Sequence, residues 1–134
     1  MDMNWKFFRS IVAVLAMLLL VSGASSAQDD SIIDQLGLSA RQKEQIKELR
    51  EQTRRESKPI LDAIRELLAD EKRLRKADAP EADLRRVMKL RADKEIELTL
   101  SLRRFNEKFE AILTPEQRKL LQTIIDRKNS GKTH

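Results

Sequence analysis

The side chains that most often carry catalysis or bind metal ions are scarce in this sequence. It has no Cys, and its single His is the final residue, His134. Carboxylates are plentiful, but they alternate with cationic residues, as Glu44 and Glu48 do with Lys43 and Lys47. On a charged helix such carboxylates are solvated or paired at i,i+4. We therefore expect no catalytic residue and interpret the chain as a non-enzyme.

Cofactor, metal and nucleic-acid sites are not indicated either. Zn²⁺ and Ni²⁺ sites draw on His and Cys, and one terminal His is more typical of a loose tail than of a ligand. No G-x-x-x-x-G-K-[ST] loop is present to hold a nucleotide. The formal charge of +5 is basic, but interspersed acidic residues dilute any phosphate-facing stripe. We expect no cofactor, no metal and no nucleic-acid partner.

Two similar pentapeptides carry the clearest local signal: LSARQ at residues 38–42 and LTPEQ at residues 113–117. The first four N–H groups of a helix lack partners within the helix. A Ser or Thr at the cap accepts a hydrogen bond from one of them, and Gln or Glu three residues later reaches back to the cap's own N–H. Ser39 with Gln42, and Thr114 with Gln117, fit this capping box and predict two helix starts.

A third start is predicted at Asp78 and Glu81, with Pro80 between them. In the two pentapeptides, the residues four past the caps are charged, so the usual hydrophobic staple is absent. We therefore expect Leu38 and Leu113 to pack against another helix.

Helix formers dominate the chain from Ser39 onward and predict an all-α fold of three to four helices. The starts predict helices over Ala40–Lys76, Ala79–Leu113 and Pro115–Lys128. No large apolar residue occurs between Arg50 and Pro59, and proline disrupts a helix interior. A kink or complete break is therefore expected near Ser57 to Pro59.

The ends of the chain differ from this helical region. Residues 1–27 combine Lys6 and Arg9 with an apolar run at 11–21 and a small-residue end at Ala27, which indicates a secretory signal cut after Ala27. An uncleaved anchor is the alternative, but spanning a bilayer takes about 20 apolar residues. Residues 28–38 form an acidic lead with a possible helical turn closed by Gly37, residues 39–128 form the helical domain, and the tail 129–134 is expected to be disordered.

The apolar residues predict an elongated, bent helical hairpin. Each long helix has one main apolar stripe, but Ile96 and Leu100 lie on nearly the opposite side of the second helix. A thin hairpin cannot cover apolar residues on two sides, and exposed apolar patches mark interaction surfaces. We expect a homodimer, with Arg91 and Glu95 as an i,i+4 pair that fixes register at an interface.

The export signal, the helical composition and the paired LSARQ and LTPEQ together resemble the Spy/CpxP family of periplasmic proteins, whose signature is a repeated L-T-x-x-Q. The resemblance covers residues 36–128. It implies a cradle-like antiparallel dimer of long bent helices. It also implies ATP-independent chaperoning (holdase activity) for unfolded envelope proteins in the periplasm. In the CpxP branch it implies restraint of an envelope-stress sensor kinase. A metal-sensing branch uses His-rich sites that this sequence lacks.

A chaperone of this type needs cationic residues beside small apolar patches. The candidate client-binding residues are Arg41, Lys43, Ile46, Lys47, Leu49, Arg50, Arg54, Arg55, Lys58, Ile96 and Leu100. The alternatives are that Arg50 to Pro59 is a solvated bend and that Ile96 and Leu100 are dimer contacts. The expected partners are unfolded or partly folded envelope proteins, with the sensor domain of a kinase as the alternative.

Overall fold

The computed structural model describes residues 32–131, which form four helices and no strand. Helix α1 covers residues 32–35, α2 covers Ala40–Lys76, α3 covers Glu81–Ile112 and α4 covers Pro115–Ser130. The predicted all-α fold is confirmed. The predicted signal peptide, residues 28–31 of the lead and residues 132–134 lie outside the described residues.

The described chain divides into two compact units. Unit 1 consists of residues 32–51 and 102–131, and unit 2 of Gln52–Ser101. Helices α2 and α3 each contribute one part to each unit. In unit 2 they form a hairpin, joined by a short turn at residues 77–80.

Unit 1 contains the apolar core. Its most deeply buried side chains are Ile46, Phe105 and Ile125, at 1–2% exposure, and the Phe105 and Phe109 ring centroids are 6.0 Å apart. The cluster comprises Ile32, Leu36, Leu38, Ile46, Leu49, Phe105, Phe109, Leu113, Leu121, Ile124 and Ile125. Leu38 and Leu113 are both members of this cluster. This is expected, because neither leucine has an apolar staple partner within the helix that follows it.

The lead is part of this core. Ile32, Leu36 and Leu38 are buried in it, so the apolar residues of the lead stabilise unit 1. Gly37 closes α1 with a φ of +62°, a conformation that costs glycine little because it has no Cβ. The predicted turn of helix closed by Gly37 is therefore confirmed.

Unit 2 has much less apolar burial. Val87 is its single buried apolar side chain, and its buried polar residues are Thr53, Ser57, Glu71 and Ser101. Thr53 and Ser57, each 4% exposed, occupy the stretch where large apolar residues are missing. The Ser57 hydroxyl donates to the Thr53 carbonyl at 2.6 Å, which satisfies a buried polar group within its own helix.

Of the predicted kink or complete break near Ser57 to Pro59, the complete break is wrong and the kink stays a prediction. Helix α2 runs through Pro59 as one element of 37 residues. Proline removes the donor for the carbonyl four residues earlier, that of Arg55. Pro59 is exposed, where water can hydrate that carbonyl. The described chain does contain four helices, but the fourth is α1 and not a separate half of α2.

The predicted capping box at Asp78 and Glu81 is also wrong. Asp78 lies two residues after the last residue of α2, Lys76, and has a φ of +51°. Its N–H donates to the Arg75 carbonyl at 3.2 Å, and the Ala79 N–H donates to the Leu74 carbonyl at 3.0 Å. These two bonds form a Schellman motif, in which Asp78 takes the left-handed position usually held by Gly. Helix α3 begins at Glu81 without that box.

Three predicted boundaries shift. Helix α3 begins at Glu81, two residues after the predicted start at Ala79, and ends at Ile112, one residue before the predicted end at Leu113. Helix α4 continues through Ser130, so Asn129 and Ser130 are helical and do not belong to a disordered tail. The homodimer and the elongated, bent outline stay predictions.

Candidate functional site

Both predicted capping boxes are present. The Ser39 hydroxyl accepts from the Gln42 N–H at 3.1 Å, and the Gln42 Oε1 accepts from the Ser39 N–H at 2.9 Å. At the other motif, the Thr114 hydroxyl accepts from the Gln117 N–H at 3.2 Å, and the Gln117 Oε1 accepts from the Thr114 N–H at 2.9 Å. Each motif therefore starts a helix of unit 1 in the same way.

The two glutamines also bind each other. The Gln42 Nε2 donates to the Gln117 Oε1 at 2.8 Å, and the Gln117 Nε2 contacts the Gln42 Oε1 at 3.1 Å. The Gln42 Nε2 also donates to the Ile112 carbonyl at 2.9 Å, just before the second motif. The Gln117 Nε2 also donates to the Leu36 and Gly37 carbonyls, each at 3.4 Å, just before the first motif. We call this arrangement the glutamine pair. It connects the starts of α2 and α4 in unit 1.

Sequence reasoning missed the glutamine pair, although a signal for it was present. A capping box uses one side-chain acceptor at its third position, which Glu can supply as well as Gln. Gln at both positions adds two amide donors that the boxes leave unused. Half-buried donors need acceptors, and each glutamine supplies one for the other.

Six candidate client-binding residues lie in unit 1, and two of them do not fit the prediction. Ile46 and Leu49 are 2% and 7% exposed, so their side chains are already packed in the core and cannot contact a client. Both fall on the inward-facing stripe of α2, together with the rest of the apolar core. The four cationic residues are Arg41, Lys43, Lys47 and Arg50. Arg50 is half-buried, the others are exposed, and none forms an ion pair within the described residues.

The other five candidates lie in unit 2. Arg54 and Arg55 are exposed and form no ion pair in the described part of the chain, whereas Lys58 bonds Asp62 at 2.9 Å. Ile96 and Leu100 are exposed by 57% and 46%, and their i,i+4 spacing places them on one side of α3. Unit 2 therefore presents both cationic and aliphatic side chains at its surface.

Charge is segregated between two sides of the hairpin in unit 2. One cleft of about 470 Å³ is lined by Leu68, Glu71, Lys72, Arg75, Lys76 and Arg91, with a formal charge of +3. A second cleft of similar volume is lined by Ala63, Glu66, Leu67, Asp70, Leu90, Asp93, Lys94 and Glu97, with a formal charge of −3. We call them the basic cleft and the acidic cleft. Lys72 and Asp70 are two residues apart, about 200° around the helix, so the clefts open on opposite sides.

Glu71 links the two helices of unit 2 at the basic cleft. Its Oε1 accepts from the Nε and Nη2 of Arg75 at 3.2 and 2.9 Å, and its Oε2 accepts from the Arg91 Nε at 3.1 Å. Arg91 also donates from Nη1 to Glu95 at 2.9 Å. The predicted Arg91–Glu95 pair is thus present, and it extends to Glu71 on the neighbouring helix.

These contacts shift two pKa values. The hydrogen bond from Arg75 lowers the pKa of Glu71, and the charges of Arg91 and Arg75 add to that effect against the opposing effect of burial. The hydrogen bond to Glu95 raises the pKa of Arg91, assisted by the charge of Glu71. Glu71 and Arg91 are therefore both charged at neutral pH.

The described residues contain neither a candidate metal site nor a candidate membrane span. Between residues 32 and 131, no three Asp, Glu, His or Cys side chains are grouped as metal ligands. None of the helices described combines the length and apolarity required to cross a bilayer.

The fold and the motif pair define the class: an all-α protein with two LTxxQ-type helix starts that bind each other through their glutamines. The LTXXQ motif family matches residues 26–125, and the chain belongs to that family, which includes Spy/CpxP-like proteins. No curated protein and no solved structure matches the chain significantly.

Proposed function

We propose that this protein is an ATP-independent holdase that binds unfolded envelope proteins in the periplasm and suppresses their aggregation. Its family membership supports this assignment, because the family includes Spy/CpxP-like proteins. The proposal includes export by the predicted signal peptide and cleavage after Ala27. N-terminal sequencing of the protein recovered from a periplasmic extract tests both points.

The observation that carries the proposal is the surface of unit 2. Arg54 and Arg55 are cationic and without ion pairs among the described residues, and Ile96 and Leu100 are aliphatic and exposed. Unfolded chains expose apolar side chains, and charge attraction raises the rate of encounter. A surface of small apolar patches can hold such a chain without burying it in a deep pocket.

The test is an aggregation assay with a chemically unfolded client and the purified protein, without ATP. We expect suppression of light scattering at near-stoichiometric ratios. Suppression should weaken from low to physiological salt, because the Debye length falls to about 8 Å. Absence of suppression at equimolar protein would contradict the holdase assignment. If an inactive protein instead binds the periplasmic domain of an envelope-stress sensor kinase, the regulatory alternative is favoured.

Leu100 and Leu120 provide a matched pair for this assay. They are 46% and 41% exposed, but Leu120 lies on α4 in unit 1, outside the candidate residues. We expect Leu100→Ser to reduce suppression and Leu120→Ser to leave it unchanged, with both variants melting like wild type. Equal effects of the two changes would remove unit 2 as the client-binding surface.

A further inference from the structure

One short segment of unit 2 carries an excess of positive charge. Residues 71–91 contain eight Lys and Arg against four Asp and Glu, a formal charge of +4, and the whole chain has +5. This segment spans the end of α2, the turn and the start of α3. The basic cleft is the part of it where cations from both helices meet.

The basic cleft contains cationic groups without partners. Lys72 and Lys76 are exposed and form neither an ion pair nor a side-chain hydrogen bond within the described residues. Glu71 is the single carboxylate among the lining residues. When Glu95, which bonds Arg91, is counted as well, the formal charge at the cleft is still +2.

The two arginines of the cleft are held in place. Glu71 accepts three hydrogen bonds from them, and it is itself only 8% exposed. These bonds leave the Nη1 of Arg75 and the Nη2 of Arg91 without partners in the described part of the chain. A ligand that binds here does not have to order the two guanidinium groups, which lowers the entropic cost of binding.

Helix stabilisation accounts for part of this charge. Cations in the last turn of a helix interact favourably with its dipole, which explains Arg75 and Lys76. It does not explain Arg91 on α3, or Lys72 before the last turn. The carbonyls of Arg73, Leu74 and Arg75 already accept bonds from residues 77–79, so the end of α2 has fewer free acceptors to repel an anion.

We propose that the basic cleft is a binding site for a phosphate ester. A phosphate monoester carries about −1.5 to −2 charges at neutral pH, which matches the excess of cations better than one carboxylate does. Arginine side chains bind phosphate oxygens through paired N–H groups. The cleft, at about 470 Å³, is larger than one phosphate group, and the half-exposed Leu68 lies on its lining. The phosphate therefore belongs to a larger organic molecule, either a lipid head group or a soluble ester.

The probes are glycerol 1-phosphate and vesicles of phosphatidylcholine with or without phosphatidic acid, mixed with the purified protein at low ionic strength. Backbone amide shifts and calorimetry follow the soluble ester, and co-sedimentation follows the vesicles. We expect saturable binding, with the largest shifts at residues 71–76 and 91. The dicarboxylate glutarate, which carries a similar charge, should bind more weakly.

A matched pair of variants tests the location of the site. Lys72→Gln with Lys76→Gln should weaken binding at least about tenfold, because each lysine supplies a charged hydrogen bond to the anion. Lys119→Gln with Lys128→Gln removes the same charge from exposed positions on α4 and should change binding less than about twofold. Melting curves should show both variants folded.

The outcomes separate the sources and the alternatives. If vesicle binding shows the same dependence on the two lysines, the ligand is a lipid head group, and if the soluble ester alone binds, it is a soluble phosphate ester. Equal weakening in the two variants, equal binding of glutarate, or no saturable binding to either probe would overturn the proposal. The aggregation assay does not enter this test, so failure of the holdase assignment leaves it standing.

Discussion

The two units of this protein are built from the same two long helices but are stabilised differently. Unit 1 buries eleven apolar side chains in one cluster and connects two helix starts through the glutamine pair. Unit 2 buries one apolar side chain, Val87, and connects its helices by the ion pair between Glu71 and Arg91. Within unit 2, residues 71–91 carry a formal charge of +4.

This difference separates folding from binding. Regions with few buried apolar contacts open with lower free energy, and binding surfaces are commonly drawn from such regions. Unit 1 contains nearly all of the buried apolar side chains, whereas unit 2 presents the exposed aliphatic residues Ile96 and Leu100 and the basic cleft. Measurements that compare matched changes in the two units can test this division.

The largest effect is expected from truncation of the core. Phe105→Ala removes the most buried aromatic ring of unit 1 and should lower the free energy of unfolding by about 3–5 kcal/mol. Val87→Ala, the corresponding change in unit 2, should cost about 1–2 kcal/mol, because it removes less apolar surface. Urea denaturation measures both, and equal losses would show that the two units do not differ in this way.

The next effect concerns the glutamine pair. Gln42→Ala and Gln117→Ala should each lower the free energy of unfolding by about 1–3 kcal/mol, because each removes several hydrogen bonds. The double variant should lose about 1–2 kcal/mol less than the sum, because the two side chains bond each other. Gln122→Ala, which removes a bond to Asp126 within α4, is the control and should cost less than about 0.5 kcal/mol. Strict additivity would show that the glutamines act only as separate caps.

A smaller effect distinguishes the start of α4 from that of α3. Thr114→Ala removes a capping hydroxyl and should cost about 1 kcal/mol. Glu81→Ala, at the start of α3, removes only an exposed pair with Arg85 and should cost less than about 0.5 kcal/mol. Thermal melting of the two variants makes the comparison. A Thr114→Ala protein that melts like wild type would mean that the motif does not stabilise its helix.

The smallest effect expected is a change in acid stability from Glu71. Its pKa is lowered in the folded protein, so its stabilising contribution is present above the ordinary value of 4.5 and is lost as pH falls through the lower folded value. Glu71→Gln should therefore flatten the decline of stability below pH 4.5. Gln122→Ala, which removes no titratable side chain, is the control. Urea midpoints at neutral and acidic pH provide the measurement, and an unchanged decline in Glu71→Gln would show that this carboxylate is not stabilised by its arginines.

Local features were predictable from the sequence, and features that depend on long-range contacts were not. The two capping boxes were correct because both partners of each bond lie within four residues. Asp78 was assigned to the wrong helix, because an Asp two residues before a Pro fits a helix start as well as a left-handed helix end. The positive φ of Asp78 and the bonds from residues 78 and 79 back to α2 distinguish the two.

The exposure of the candidate residues was predictable in part for the same reason. Periodicity identified Ile96 and Leu100 as outward-facing, and both are exposed. Periodicity did not show that Ile46 and Leu49, which lie near the cationic residues in sequence, are buried against apolar residues of the lead and α4. The continuity of α2 through Pro59 could not be read from composition, because composition does not show that this proline is exposed and that water can hydrate the Arg55 carbonyl.

The glutamine pair also has a consequence for how the ends of unit 1 open. The backbone amides of Ser39 and Thr114 are 75 positions apart. Each donates to the glutamine of its own motif, and the two glutamines are hydrogen-bonded to each other. Neither amide can lose its bond to the glutamine without disturbing a side chain that the opposite helix start shares. In deuterated water the two protons should therefore exchange at the same rate, as members of one opening event.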